Sequence, residues 1–277
     1  MQSMTKNSNY DIIISSCDAF SDLWEANIKL LRLNWQNDSQ KTLLVTDRQT
    51  ERSFDGIDII TAGEGTEISQ RLKKALEAVE SKYIVFTLDD YFFTQKINNE
   101  KIRTAIEFME NEAVDYVQLY PIPKSFLKRE NARQSTKYDG FFFRNLDEGD
   151  YKVCLTPGIW RADFMRKTLN GKMNAWQYEV SLTQCAKDNG AVCAVSNNGE
   201  LPYLDVIRKG KLLRKANRYF KKNPIYKSNR AIMKFSDEFI LGVRTFIRMR
   251  MPKRFFIAVK KFMISRGRSF YSPIEEK

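Results

Sequence analysis

Val85-Phe86-Thr87-Leu88-Asp89-Asp90-Tyr91-Phe92-Phe93 is the stretch on which the reading of this chain turns. A hydrophobic run that stops at two acids describes a buried strand delivering carboxylates to its carboxyl end. Open α/β sheets place their ligands at that edge. Adjacent carboxylates repel one another, and burying them without a cation is costly. A divalent ion removes that cost, and oxygen ligands suit Mg²⁺ or Mn²⁺. Asp89 and Asp90 are therefore candidate metal ligands, placed where a metal could neutralise a diphosphate leaving group. The same pair also reads as the opening of a loop or a helix cap.

The flanking segments alternate between two periodicities. Asp11–Ser16, Thr42–Thr46 and Ile57–Thr61 are short and apolar, as strands are. Asp22–Trp35 and Glu67–Ser81 carry apolar residues at helical spacing, the second with Ile68, Leu72, Ala75, Leu76 and Val79. After the acidic strand, a helix is expected over Ile102–Met109 and a strand over Val114–Tyr120. Lys124–Lys137 is charge-rich and aperiodic, which reads as a mobile excursion at the sheet edge. Strands over Tyr151–Thr156 and Ala191–Val195 are predicted next, with helices starting near Trp160 and running from about Trp176 to Lys187. The expected fold class is α/β, a mostly parallel sheet with helices on both faces.

The chain has 277 residues, of which 43% are hydrophobic, and it contains no histidine. That excludes Ser-His-Asp and Cys-His nucleophile systems and imidazole zinc sites. Cys17, Cys154, Cys185 and Cys193 form no C-x-x-C pair and read as free thiols of a reducing compartment. Neither a signal-peptide stretch nor an apolar run of spanning length is seen, so a cytoplasmic location is expected. The net charge of +12 is concentrated at one end. Residues 207–277 hold 21 Lys/Arg against 4 Asp/Glu, whereas residues 1–206 hold 25 against 30. The break suggests two parts, a domain over 1–206 and a basic helical extension over 207–277.

Several short motifs accompany the acidic strand. Before it lies a helix with Ser69-Gln70-Arg71-Leu72 and Ala75-Leu76; Cys17-Asp18 and Asp22-Leu23-Trp24 follow the first strand, and Thr46-Asp47 ends the second. Pro157-Gly158-Ile159-Trp160-Arg161 and Trp176-Gln177-Tyr178-Glu179 come later. In this order the motifs resemble bacterial GT-A-type nucleotide-sugar glycosyltransferases, more narrowly those of capsular and surface polysaccharide synthesis, over residues 10–210. The usual Asp-x-Asp metal motif appears here as Leu88-Asp89-Asp90, which leaves open which carboxylate holds the metal.

The resemblance implies a GT-A-like, Rossmann-like domain that moves a sugar from a nucleotide-diphosphate donor, a UDP-sugar, to a lipid-linked saccharide, with Mn²⁺ or Mg²⁺ as cofactor. It places Ser16, Cys17, Asp18 and Asp47 at the nucleotide, although Asp47-Arg48 reads equally as a solvated turn. Arg71 would assist the diphosphate beside Asp89, against the alternative of an exposed basic helix face shared with Lys73 and Lys74. Glu179 is the candidate general base, against Asp150 and Asp163 as weaker rivals and a helix-dipole role as the alternative, with Asp90 completing the catalytic pair. Trp160 and Trp176 are candidate sugar platforms, though large aromatics are more often core. A non-catalytic binding module on the same fold and a nucleotidyltransferase are the alternatives.

In the basic extension, Phe239, Ile240, Val243, Phe246 and Ile247 recur at helical spacing, as do Phe255, Phe256, Val259, Phe262 and Met263. Basic amphipathic helices with aromatic faces suit an anionic membrane surface, here the inner face of the cell membrane. Packing on the domain or on another subunit is the alternative. No nucleic-acid-binding motif is found, and no nucleic-acid partner is expected.

Overall fold

A computed structural model of the chain describes residues 10–35 and 40–250, with positions 258, 261, 262, 265 and 266. β1 (Tyr10–Ser15) leads through a 3-10 turn (Asp18–Leu23) into α1 (Trp24–Asn34), followed by β2 (Thr42–Thr46), β3 (Asp58–Thr61) and α2 (Ile68–Leu76). β4 (Tyr83–Leu88), β5 (Tyr91–Phe93), α3 (Asn99–Asn111) and β6 (Tyr116–Gln118) come next. The middle of the chain holds α4 (Lys124–Arg129), β7 (Arg133–Gln134), β8 (Phe141–Phe143), β9 (Gly158–Arg161), α5 (Ala162–Thr168) and α6 (Ala175–Asp188). β10 (Cys193–Ser196), β11 (Tyr203–Asp205), β12 (Ile207–Arg208), β13 (Lys211–Leu212), α7 (Arg214–Lys222) and α8 (Phe235–Arg250) complete the order.

A nine-stranded sheet runs in the order β3-β2-β1-β4-β9-β6-β10-β8-β7. β3, β2, β1 and β4 pair in parallel, as do β6 and β10. β9 is inserted antiparallel between β4 and β6, so those two strands still point the same way. Gly158 makes this insertion possible, since a Cβ there would meet the Val117 carbonyl at 2.8 Å. Pro157-Gly158 just before Trp160 reads in the sequence as a turn that lets backbone approach the acceptor or donor; strand packing is what requires the glycine.

Alternate residues of the central strands enter two cores. Ile12, Ile14, Tyr83 and Val85 pack with Trp24, Ile28 and Leu31 of α1 and Ile102, Ile106 and Phe108 of α3. Ile13, Ile84 and Phe86 pack on the opposite face with α2, α5 and α6 through Leu72, Phe164 and Leu182. Each such side chain, once fully buried, contributes roughly 1.5–3 kcal/mol. Both faces being covered is why these strands read as continuous apolar runs.

Three expectations need correction. Tyr151–Thr156 forms no strand: Tyr151 has a positive φ of 62°, and the Lys152 and Leu155 amides donate to the side chains of Thr183 and Glu179 rather than to a neighbouring strand. Trp160 lies in β9, and the helix begins at Ala162. The charge-rich excursion is built into the far sheet edge, where Glu130 holds both Arg144 (2.9 Å) and Lys152 (2.5 Å) and Leu127 packs on Phe142 and Val195.

The charge break at residue 206 is not a packing break. β11 pairs with β5, and Leu204, Val206, Ile207, Leu212, Ala216 and Phe220 form one core with Leu23, Ala26, Leu30 and Phe92. Arg230 then grips Asp22 with two nitrogens at 2.6 and 2.9 Å, and the Tyr226 hydroxyl donates to the same carboxylate at 2.6 Å. Beyond this, Phe235, Phe239, Ile240 and Val243 are exposed on α8. Of the second amphipathic stretch, residues 255–263, all but Ala258, Lys261 and Phe262 lie outside the described residues.

Candidate active site

The carboxyl edge of the sheet gathers the turn after β1, Asp47 after β2, the β4–β5 junction, and Tyr120 after β6. Residues 154–157 lead into the antiparallel β9, so they reach the same edge. Asp89 is buried, and its carboxyl accepts the Ser16 hydroxyl, which in turn accepts Trp24 Nε1 at 2.6 Å. Burial first, and then the neighbouring Asp90, push the Asp89 carboxyl well above the usual range; Ser16, Arg230 and Arg71 work against them. The Asn27 amide donates to the carbonyls of Asp89 and Tyr91 at 3.0 and 3.1 Å, which fixes the turn between β4 and β5.

Asp90 is placed differently. Its carbonyl accepts the Val206 amide at 2.9 Å, while its Oδ1 is buried with no hydrogen-bond partner. Burial and the nearby Asp205 push its carboxyl up to about 7, and Arg208 opposes them. An unpartnered carboxylate oxygen in a low-dielectric site gains from a cation. No group of three or more Cys, Asp or Glu able to hold a metal occurs among the described residues. Mg²⁺-type ions commonly take only one or two carboxylates, drawing their other oxygens from water and substrate phosphates. The acid pair at this edge fits such an ion.

The remaining candidates sort by contact. Asp47 accepts the Asp18 amide at 2.7 Å and so braces the 3-10 turn; Arg48 pairs with Asp18 at 3.6 Å. The Cys17 thiol is raised by burial and by Asp89, which keeps it protonated. Arg71 donates to the Thr66 carbonyl at 2.5 Å, its Nε is buried without a partner, and its charge acts on both Asp89 and Cys17. Lys73 and Lys74 are exposed, Lys74 pairing with Glu77.

Glu179 lies in the second turn of α6, whose start is closed by a capping box between Asn174 and Gln177. Its Oε1 accepts the Leu155 amide at 3.2 Å, and its charge acts on the buried Cys154 thiol. Cys154 also acts on Tyr91 and Tyr203, which lie beside Asp90 and Asp205. The hydrogen bond to Leu155 holds Glu179 near the edge that residues 154–157 reach. The two tryptophans part company. Trp160 is 0% exposed, with its ring 4.5 Å from Tyr116 and 5.8 Å from Phe164, and so offers no face to a sugar. Trp176 is 62% exposed.

Sequence reasoning missed Tyr203 and Asp205, just before the charge break, and Arg208 and Arg230 beyond it, all of which join this edge. Arg208 pairs with Asp205 at 2.7 Å. The alternation Tyr203-Leu204-Asp205, followed by Ile207, is the strand signal that could have found the first of them.

No family model matches the sequence, and no curated protein matches it. Solved structures do resemble the fold. S. aureus TarS residues 1–349 in complex with UDP-GlcNAc matches with a TM-score of 0.51 and 14% identity, over 74% of this chain and 60% of that one. The mannosyltransferase PcManGT from Pyrobaculum calidifontis, in complex with GDP-Man and Mn²⁺, matches with a TM-score of 0.50 and 10% identity, over 73% of this chain and 58% of that one. The fold is GT-A-like. This chain spans about 60% of the length of those solved chains.

Proposed function

We propose that the protein is a metal-dependent glycosyltransferase that moves a sugar from a nucleotide-diphosphate donor, a UDP-sugar, to a lipid-linked saccharide in surface polysaccharide synthesis. The observation that carries the reading is the buried, unpartnered Asp90 oxygen at the carboxyl edge of a GT-A-like sheet. The donor-bound neighbours support it through fold alone.

Asp90 would hold Mn²⁺ or Mg²⁺, with Asp89 behind it pinned by Ser16. Such an ion, when bound, offsets negative charge on a leaving diphosphate. Arg71 adds a second positive charge from α2, and the turn from Ser16 to Asp18, braced by Asp47, borders the nucleotide. Glu179 takes the proton from the acceptor hydroxyl as that oxygen attacks the anomeric carbon. The exposed apolar residues and basic charge of the C-terminal segment support contact with an anionic membrane surface at its cytoplasmic face. No helix among the described residues is long and apolar enough to cross a membrane.

Incubation with a panel of UDP- and GDP-sugars and Mn²⁺ tests the reading. Release of nucleoside diphosphate supports it. Pyrophosphate released from a nucleoside triphosphate would make the protein a nucleotidyltransferase, and no turnover with no metal-dependent UDP binding would make it a binding module.

A further inference from the structure

Three tyrosines from separate parts of the chain meet beside the acid pair. Tyr91 opens β5, Tyr203 opens β11, and Tyr120 lies just past β6. The Tyr91 and Tyr203 rings are 4.6 Å apart between centroids, and Tyr120 lies 6.1 Å from Tyr203. Tyr203 packs against the first core, but none of the three rings is fully enclosed. Tyr120 is 37% exposed, and Tyr91 and Tyr203 are half-buried, whereas Phe92 and Phe93, which follow Tyr91 in β5, are fully buried. The row is therefore a partly open aromatic surface, with Asp90, Asp205 and Cys154 near enough to act on its phenols.

We propose that Tyr120 and Tyr203 form the platform on which the acceptor saccharide stacks, the place that Trp160 cannot take. A pyranose with its axial C–H groups on one side presents an apolar face, and an aromatic ring covers such a face at little conformational cost. Rings already packed against one another are pre-organised for that contact. A phenol hydroxyl can donate to and accept from sugar oxygens at the rim of such a contact. The unpartnered Asp90 oxygen next to the row marks this edge as a ligand site rather than a closed surface. This assignment rests on the sugar-transfer reading and adds to it the position of the acceptor.

Saturation-transfer NMR on the full chain with UDP and Mn²⁺ tests it, using methyl β-D-glucoside, methyl β-D-galactoside and methyl N-acetyl-β-D-glucosaminide as probes. At least one probe is expected to take up saturation most strongly at H-1, H-3 and H-5, the protons of a single ring face. Tyr120→Ala and Tyr203→Leu should each weaken that signal roughly tenfold, while Tyr120→Phe, which keeps the ring face, stays within about twofold. Calorimetry with UDP on the same samples reads the donor site separately. A wild type that binds UDP but saturates no probe, or a signal unchanged in both Tyr120→Ala and Tyr203→Leu, overturns the platform. Face-selective saturation that needs Tyr120 in a protein unable to bind UDP keeps the platform and removes the nucleotide-sugar donor.

Discussion

Asp90 is tied to the chain at the charge break itself: the Val206 amide donates to its carbonyl at 2.9 Å, and the adjacent Asp205 sets a second carboxylate against its own. The fold thus holds Asp90 where its negative charge is unwelcome. Strain of this kind at a ligand site is the cost that a bound cation relieves.

That cost has a pH signature. The Asp90 carboxyl, 3.8 when unperturbed, is pushed up to about 7 in the fold. Between those values the unfolded chain has released a proton that the folded protein retains, so stability falls as pH rises through this window and stays low above it. Asp90→Asn escapes the penalty. Metal-free Asp90→Asn should exceed wild type at pH 8 by roughly 1–4 kcal/mol, with the gap closing towards pH 4. Thermal unfolding at the two pH values measures it, and an equal gap at both contradicts the account.

Glu179→Gln keeps the shape of the side chain and removes the base. Turnover should drop by on the order of 100-fold or more, with UDP affinity unchanged in calorimetry. A mutant as fast as wild type moves the base elsewhere.

The clasp between Arg230 and Asp22 holds the C-terminal segment onto the 3-10 turn. Burial works against Asp22, but hydrogen bonds from Arg230 and Tyr226 hold its carboxyl below the usual value. Such a group stabilises above the unfolded pKa, and its contribution is lost as pH falls through the lowered one. Asp22→Asn should cost about 0.5–1.5 kcal/mol at pH 7, kept small by solvent exposure, and less below pH 4. Denaturant unfolding at both pH values checks this; a cost that grows in acid would be the wrong sign.

Membrane contact should depend on the segment C-terminal to Lys234, since residues 207–233 are packed into the domain. A chain ending at Lys234 should keep its fold, by circular dichroism, and lose most of its binding to phosphatidylglycerol vesicles in co-sedimentation. Phe235→Ser with Phe239→Ser in the full chain should weaken binding in the same direction. An undiminished bound fraction in the truncated chain puts the contact elsewhere.

The sheet was legible because β1, β2 and β4 are buried on both faces and so carry unbroken apolar runs. Tyr151–Thr156 deceived for the same reason: Val153, Cys154 and Leu155 are as buried as strand residues, but side chains take their backbone partners. Pro157-Gly158 before Trp160 carries the composition of a turn, yet Gly158 is needed for strand contact. The boundary at 206 misled because Lys and Arg on the outside of β13 and α7 conceal an apolar set, Leu212, Ala216 and Phe220, at core spacing. Asp89 and Asp90 could be read from local sequence. Tyr203 and Asp205 carry a strand's alternation, but only the pairing of β11 with β5 brings them, and Arg208 through Asp205, to the acids.

Calorimetric titration of UDP, with and without Mn²⁺, into wild type and Asp90→Asn tests the central claim most directly. Mn²⁺ should tighten UDP binding by about tenfold or more in wild type and leave Asp90→Asn unchanged. Equal UDP affinity with and without the ion in wild type, or the same ion dependence in both proteins, contradicts it.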